Sequence, residues 1–317
     1  MKRIVIAITA IFLYIVMALS VDFYHKVYPV TGMDGSLASQ LLQYSEEIGL
    51  DPQEPRIDPI WHFVPGLKGV EVDYGLSYQN INAAGSFEEG LVVKKYLPYE
   101  KNPEEFRQEP IYRGNEKGKY VSLLINVAWG ETELNKMIEI LDRLEVKANF
   151  FFEGRYAEDH SYQVAKVYNQ GHVVGNHSFS HPACWGKLDY EGFEEEIVRT
   201  NEILSGITGQ PTLYFAPPGG EFNDQTLKAA YDQGMYTVLW TADTIDWKGG
   251  SVTTILNRIR KKVEPGALIL MHPKEATVEA LEPLIRELLE KGYRFKTMHE
   301  IVFGDQLDCI NNEIKVD

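Results

Sequence analysis

From residue 120 to residue 296 the chain alternates short apolar runs with longer amphipathic stretches, and that alternation leaves few folds open. Runs at 121–126, 148–152, 172–174, 213–215, 237–240, 267–271 and 293–296 predict strands. Between them, 131–144 places Leu134, Ile138, Leu141 and Leu144 on one helical stripe, and 278–289 repeats the pattern. Gly171, Gly234 and Gly292 stand where helices end in a left-handed residue. Strands separated by single helices imply parallel pairing through right-handed crossovers, hence a doubly wound sheet or a βα barrel. The segment holds about 180 residues against roughly 250 for an eightfold barrel. The predicted fold is therefore α/β, an incomplete (β/α)6–7 barrel over residues 119–303 with a tail at 304–317.

Upstream, Lys2 and Arg3 precede an apolar run at 4–21 that carries no charge before Asp22. At about 18 residues it is short for a bilayer span yet longer than the apolar core of a typical secretory signal. This predicts a transmembrane helix within residues 1–22, uncleaved despite the cleavage-like Ala18-Leu19-Ser20. The leading positive charges place the remainder outside the cytoplasm, as a single-pass protein of the cell membrane. Residues 23–96 read as a small α/β domain, with a helix over 36–48 and apolar runs at 70–72 and 91–93. Residues 97–118, rich in Pro, Glu, Lys and Arg without periodicity, read as a linker or strap.

Composition limits the partners. With 46 acidic and 31 basic residues the net charge is −15, so no basic face dominates and nucleic acid is not expected. A neutral polymer meets no such objection. Cys184 and Cys309 are too few for a disulfide framework, and whether they pair is open.

Polar groups collect after the strands: Asn126, Glu153, Asn176 with His177 and His181, the run Ala216-Pro217-Pro218-Gly219-Gly220, Asp243 with Asp246-Trp247, and His272. In parallel βα folds these loops share the rim where substrates bind. His177 and His181, four apart, share a face if they lie on a helical turn, so two imidazoles can converge on one divalent cation. Cys184 is too far out of register behind Pro182 to join them, and Trp185 reads as covering the core edge or stacking on a sugar. The basic cluster at 257–262 ends a helical pattern, where cations suit the helix dipole.

The order His177-x-x-x-His181, Phe215-Ala216-Pro217-Pro218, Asp243-Thr244-Ile245-Asp246-Trp247 and Leu270-Met271-His272-Pro273 resembles the NodB-homology polysaccharide deacetylases, carbohydrate esterase family 4. Residues 125–130 look like its membrane-anchored, sporulation-associated branch. The resemblance implies metal-dependent removal of acetyl groups from N-acetylated glycan. By that resemblance His177 and His181 match the ligands of a divalent metal such as zinc, cobalt or manganese, and His272 matches the acid for the leaving amine. Asp243 matches the carboxylate that orients His272, Trp247 and Leu270 line the groove, and Pro217 and Pro218 flank the substrate.

The first motif departs from the family's Thr-Phe-Asp-Asp-Gly. Aligned on Gly130, Ala128 and Trp129 occupy the two Asp positions; aligned on the strand, Asn126 takes the base position, the reading preferred at this level because it keeps a polar isostere. A neutral amide cannot take a proton at neutral pH. The Arg expected before the two prolines is Ala216, a loss coupled to the first, since an Arg facing no carboxylate would be a costly unpaired charge. Three readings follow: weak hydrolysis through another base, Glu153, Asp243 or Asp246; glycan binding without cutting; or an interaction module. Two imidazoles without a carboxylate imply weak metal affinity.

Overall fold

The computed structural model describes residues 35–304. The anchor predicted within residues 1–22 and Cys309 lie outside them. Among the described residues no helix is long and apolar enough to cross a membrane.

In chain order, helix α1 (Gly35–Ile48) is followed by strands β1 (Arg56–Asp58) and β2 (His62–Val64), strand β3 (Gly69–Val72), helix α2 (Tyr74–Ala84) and strand β4 (Lys94–Leu97). These residues fall into two compact units, one of 35–52 and 68–98, the other of 53–67 and 99–304. The smaller unit packs Leu41, Val72, Ile81 and Val92 into a core. Its β3 and β4 pair antiparallel, Val70 opposite Tyr96. Asp73 caps α2 by accepting from the Leu76 amide, and Gly85 closes it in the left-handed region. The strand expected at 91–93 lies instead at β4, because Val92 turns into the core and the Val93 amide donates to the Ser77 hydroxyl. The β1–β2 hairpin belongs to the larger unit, whereas the sequence reading keeps it within the small domain at 23–96.

The larger unit is built on β5 (Tyr120–Val127), α3 (Glu131–Arg143), β6 (Asn149–Phe152), α4 (Gly154–Asp159), α5 (Ser161–Asn169), β7 (Val173–Asn176), α6 (Tyr190–Thr208), β8 (Tyr214–Phe215), α7 (Asp224–Asp232), β9 (Tyr236–Thr237), β10 (Ala242–Asp243), α8 (Val252–Lys262), β11 (Ala267–Met271), α9 (Glu275–Glu290), β12 (Arg294–Phe295) and α10 (Met298–Phe303). Its sheet runs β10-β11-β5-β6-β7-β8-β9, with β12 also on β5, and every pair is parallel.

Every residue of β5 is buried, as expected for a parallel strand covered on both faces. Val121, Leu123, Ile125 and Val127 pack against the helices, with Leu134, Met137, Ile138 and Leu141 of α3 fully inside. Each such side chain contributes about 1.5–3 kcal/mol. The two-residue period turns Ser122 and Asn126 to the opposite face. Residues 236–243 serve two neighbours: β9 pairs with β8, and β10 pairs with β11. That division shortens the strand expected at 237–240. Ile111 enters beside β9, donating to the Thr237 carbonyl and accepting from the Leu239 amide. The Gly114 amide meets Gly266 just before β11. The strap thus supplies hydrogen bonds where β9 and β10 part company.

Candidate functional site

A pocket of about 270 Å³ at the carboxyl ends of the strands is lined by Asn126, Trp129, His177, His181, Gly219, Trp240, Asp243, Trp247, Leu270 and His272. Strand β5 delivers Asn126 and the turn after it Trp129. Gly130 follows with φ 84°, and a Cβ there would sit 2.5 Å from the Pro273 carbonyl oxygen. Only glycine fits, so the turn after β5 is held against the His272 segment. Trp129 stacks on His272, ring centroids 5.8 Å apart and planes 7° from parallel, while the Lys274 ammonium lies 5.1 Å from the indole centroid. The Asn126 side-chain oxygen is buried without a hydrogen-bond partner.

His177 and His181 are not on a helical turn. His177 follows β7, and the loop to His181 carries left-handed residues at Ser178 and His181. Their rings meet with centroids 5.0 Å apart. Glu196 of α6 fixes that loop, accepting from the Phe179 and Ser180 amides at 2.9 and 2.8 Å and from the Ser180 hydroxyl at 2.6 Å. His177 Nδ1 lies 2.7 Å from the Ala216 carbonyl and donates to it, which leaves Nε2 as the ring's electron-pair donor. Burial first, then the neighbouring His181, pushes the His177 pKa down to about 3, and burial lowers that of His181. Both rings are neutral at pH 7.

His272 is oriented by Asp246, which corrects the assignment of that role to Asp243. Asp246 Oδ1 accepts from His272 Nδ1 at 2.7 Å, and its Oδ2 accepts from the His272 amide at 2.8 Å and the Thr277 hydroxyl at 2.7 Å. The reason is local. Ile245 takes a left-handed conformation, φ 50°, unusual for a β-branched residue, and turns the chain so that Asp246 points inward. Arg258 holds this turn by donating to the Thr244 carbonyl at 2.8 Å. Burial raises the Asp246 pKa, but the bonds from His272 and Thr277 outweigh it and leave the carboxyl below its ordinary value. Asp243 accepts from the Ile245 amide at 2.7 Å and faces the pocket, where burial raises its pKa.

Of the residues singled out in the sequence, Asn126, His177, His181, Asp243, Trp247, Leu270 and His272 come together in this pocket. Pro217 and Pro218 do not line it: both are buried, and it is Gly219 that faces the cavity. Trp185 is 1% exposed and packs on Phe193 and Phe215, and Cys184 is free and exposed. Arg260, in the basic run, pairs with Glu287. Sequence reasoning misses Trp240 as a pocket residue, because the apolar run at 237–240 reads as strand, and places Trp129 at the site only in the register it does not prefer. A tryptophan beside a glycine-marked strand end was the available signal.

Among the described residues no group of three His, Cys, Asp or Glu is placed to hold an ion. His177 and His181 are the imidazoles a divalent metal would take, but the carboxylate that would complete a three-ligand centre is absent beside them. The residues present do not fit the metal centre implied by the resemblance.

A sequence profile for polysaccharide deacetylases matches residues 113–238. The chain is 38% identical over 273 residues to the uncharacterized protein YlxY of Bacillus subtilis, covering 86% of this chain and 85% of that one. It is 30% identical over 206 residues to the peptidoglycan-N-acetylmuramic acid deacetylase PdaA of the same organism, covering 63% and 78%. The chain belongs to the polysaccharide deacetylase family. Among solved structures, this polysaccharide deacetylase homologue superimposes on BA3943, described as a CE4 family pseudoenzyme from Bacillus anthracis. The TM-score is 0.77 with 36% identity, over 83% of this chain and 94% of that one. A BA3943 mutant described as having restored enzymatic activity matches equally well, with TM-score 0.77 and 35% identity.

Proposed function

We propose that this member of the family binds N-acetylated cell-wall glycan in the pocket and hydrolyses it weakly or not at all. One observation carries the reading. The pocket has indole walls at Trp129, Trp240 and Trp247 and a polar floor, but among the described residues no carboxylate joins its two imidazoles in a three-ligand group, and it presents an amide at Asn126. Aromatic walls with a few polar groups suit a sugar ring. Hydrolysis needs a base for water as well as an acid for the amine. His272 with Asp246 has the arrangement of the acid, and the same pair serves a binding role as a hydrogen-bond donor. BA3943, described as a pseudoenzyme, supports this reading.

A second reading, slow hydrolysis with Asp243 as base, is favoured by the raised pKa of that carboxyl inside the pocket. His177 and His181 alone would hold a divalent metal, zinc, cobalt or manganese, only weakly. Metal analysis after dialysis checks this, and tightly held stoichiometric zinc contradicts it. The anchor within residues 1–22 would place the pocket outside the cytoplasm, facing its ligand. The experiment is acetate release from N-acetylglucosamine oligomers and peptidoglycan with each metal supplied, alongside a binding titration. Binding with little or no acetate supports the proposal, and rapid acetate release abolished by replacing His177 and His181 together contradicts it.

A further inference from the structure

A cavity of about 270 Å³ lies just below the about 300–1,000 Å³ that encloses drug-sized ligands. It takes one sugar ring of a polymer, so neighbouring rings must lie along the surface outside it. The loop that contributes Gly219 to the pocket continues through Gly220 to Phe222. Gly220 has φ 71°, and a Cβ there would lie 2.7 Å from the Trp240 indole, so this loop lies directly on a pocket wall. Beyond it the rings form a series. Tyr112 of the strap meets Phe222 edge to face at 6.5 Å and meets Trp61 of the β1–β2 hairpin at 6.4 Å. It also stacks on His62 at 5.8 Å. Trp61, His62, Tyr112 and Phe222 are all partly exposed.

These rings are held in advance of any ligand. The Arg113 guanidinium lies 5.5 Å from the Trp61 centroid and is itself bound to Glu264 and to the Pro265 carbonyl. His62 pairs with Glu109 at 2.9 Å, and Asp58 accepts from the Ile60 and Trp61 amides at the hairpin tip. Ordering rings before binding lowers the entropic cost of holding a flexible polymer. Trp61, His62 and Tyr112 lie outside the segment matched by the deacetylase profile, whereas Phe222 lies within it, so the hairpin and strap extend the track beyond that segment.

We propose that Phe222, Tyr112 and Trp61 form outer subsites on which a glycan strand stacks as it leaves the pocket. The proposal rests on the glycan-binding reading and adds the ligand's length and direction. The test titrates N-acetylglucosamine oligomers of two and five rings into the wild-type protein and into Trp61→Ala, Tyr112→Ala and Trp61→Phe, with thermal midpoints measured in parallel. The wild type should bind the longer oligomer at least about tenfold more tightly, Trp61→Ala and Tyr112→Ala should lose roughly that factor for the longer oligomer alone, and Trp61→Phe should retain most of it. Equal affinity for both lengths in the wild type overturns the track and leaves the pocket reading standing. No binding of either length overturns both. Alanine variants that change self-association but not affinity assign the patch to a second copy of the chain and overturn the proposal.

Discussion

Asp246 is the residue on which the geometry around His272 turns. It is 3% exposed and accepts three hydrogen bonds, so Asp246→Asn, which sets an amide N–H against these donors, should destabilise the fold by about 1–3 kcal/mol. Urea unfolding measures this. Its folded pKa lies below the 3.8 of an unperturbed carboxyl. Its contribution is therefore complete above about pH 4 and is lost as pH falls through the lower folded value. The wild type should lose stability over that acid range more steeply than Asp246→Asn. At the start of α3, Gly130 is locked against Pro273 and Trp129 faces the pocket, which favours registering the first motif on the glycine over the strand. Replacing Ala128 and Trp129 together with Asp should then raise zinc affinity at least about tenfold, and Asn126→Asp alone should raise it less. Zinc titration of the purified variants separates the two registers.

At the scale of elements, the helices and long strands were legible because their periodicity is strong. The stripe of Leu134, Ile138 and Leu141 gives α3 to within one residue, β11 is an unbroken apolar run, and β5 is a largely apolar run interrupted by Ser122 and Asn126. What could not be read was geometry set by distant partners. The division of 236–243 into β9 and β10 depends on Ile111 arriving from the strap, which no local pattern announces. The pocket histidines were found by their spacing but for the wrong local reason, since two left-handed residues and Glu196 bring them together where a helical turn was expected. Asp243 and Asp246 are three apart and chemically alike, and only the turn at Ile245 decides which of them meets His272. If Glu196 fixes the histidine loop, Glu196→Ala should lower stability by about 2–3 kcal/mol and weaken glycan binding in the pocket, as urea unfolding and titration will show.

For the whole molecule, a chain of net charge −15 that binds through indole walls should hold a neutral glycan with little dependence on salt. Affinity for N-acetylglucosamine oligomers should change less than about twofold between 0.05 and 0.5 M sodium chloride, a span over which the Debye length falls from roughly 14 to 4 Å. Binding carried by exposed charges would fall steeply. The run at 4–21 should place the chain in the membrane fraction of cells, and deletion of residues 1–22 should release it with the pocket intact, as fractionation followed by the same titration will show. The central claim is that the pocket recognises N-acetylated glycan without a metal centre. Its most direct test is a calorimetric titration of an N-acetylglucosamine pentamer in excess chelator, repeated with zinc. The account predicts saturable one-to-one binding of the same affinity in both and little or no heat of hydrolysis; binding that appears only with zinc, or rapid turnover heat once zinc is added, would contradict it.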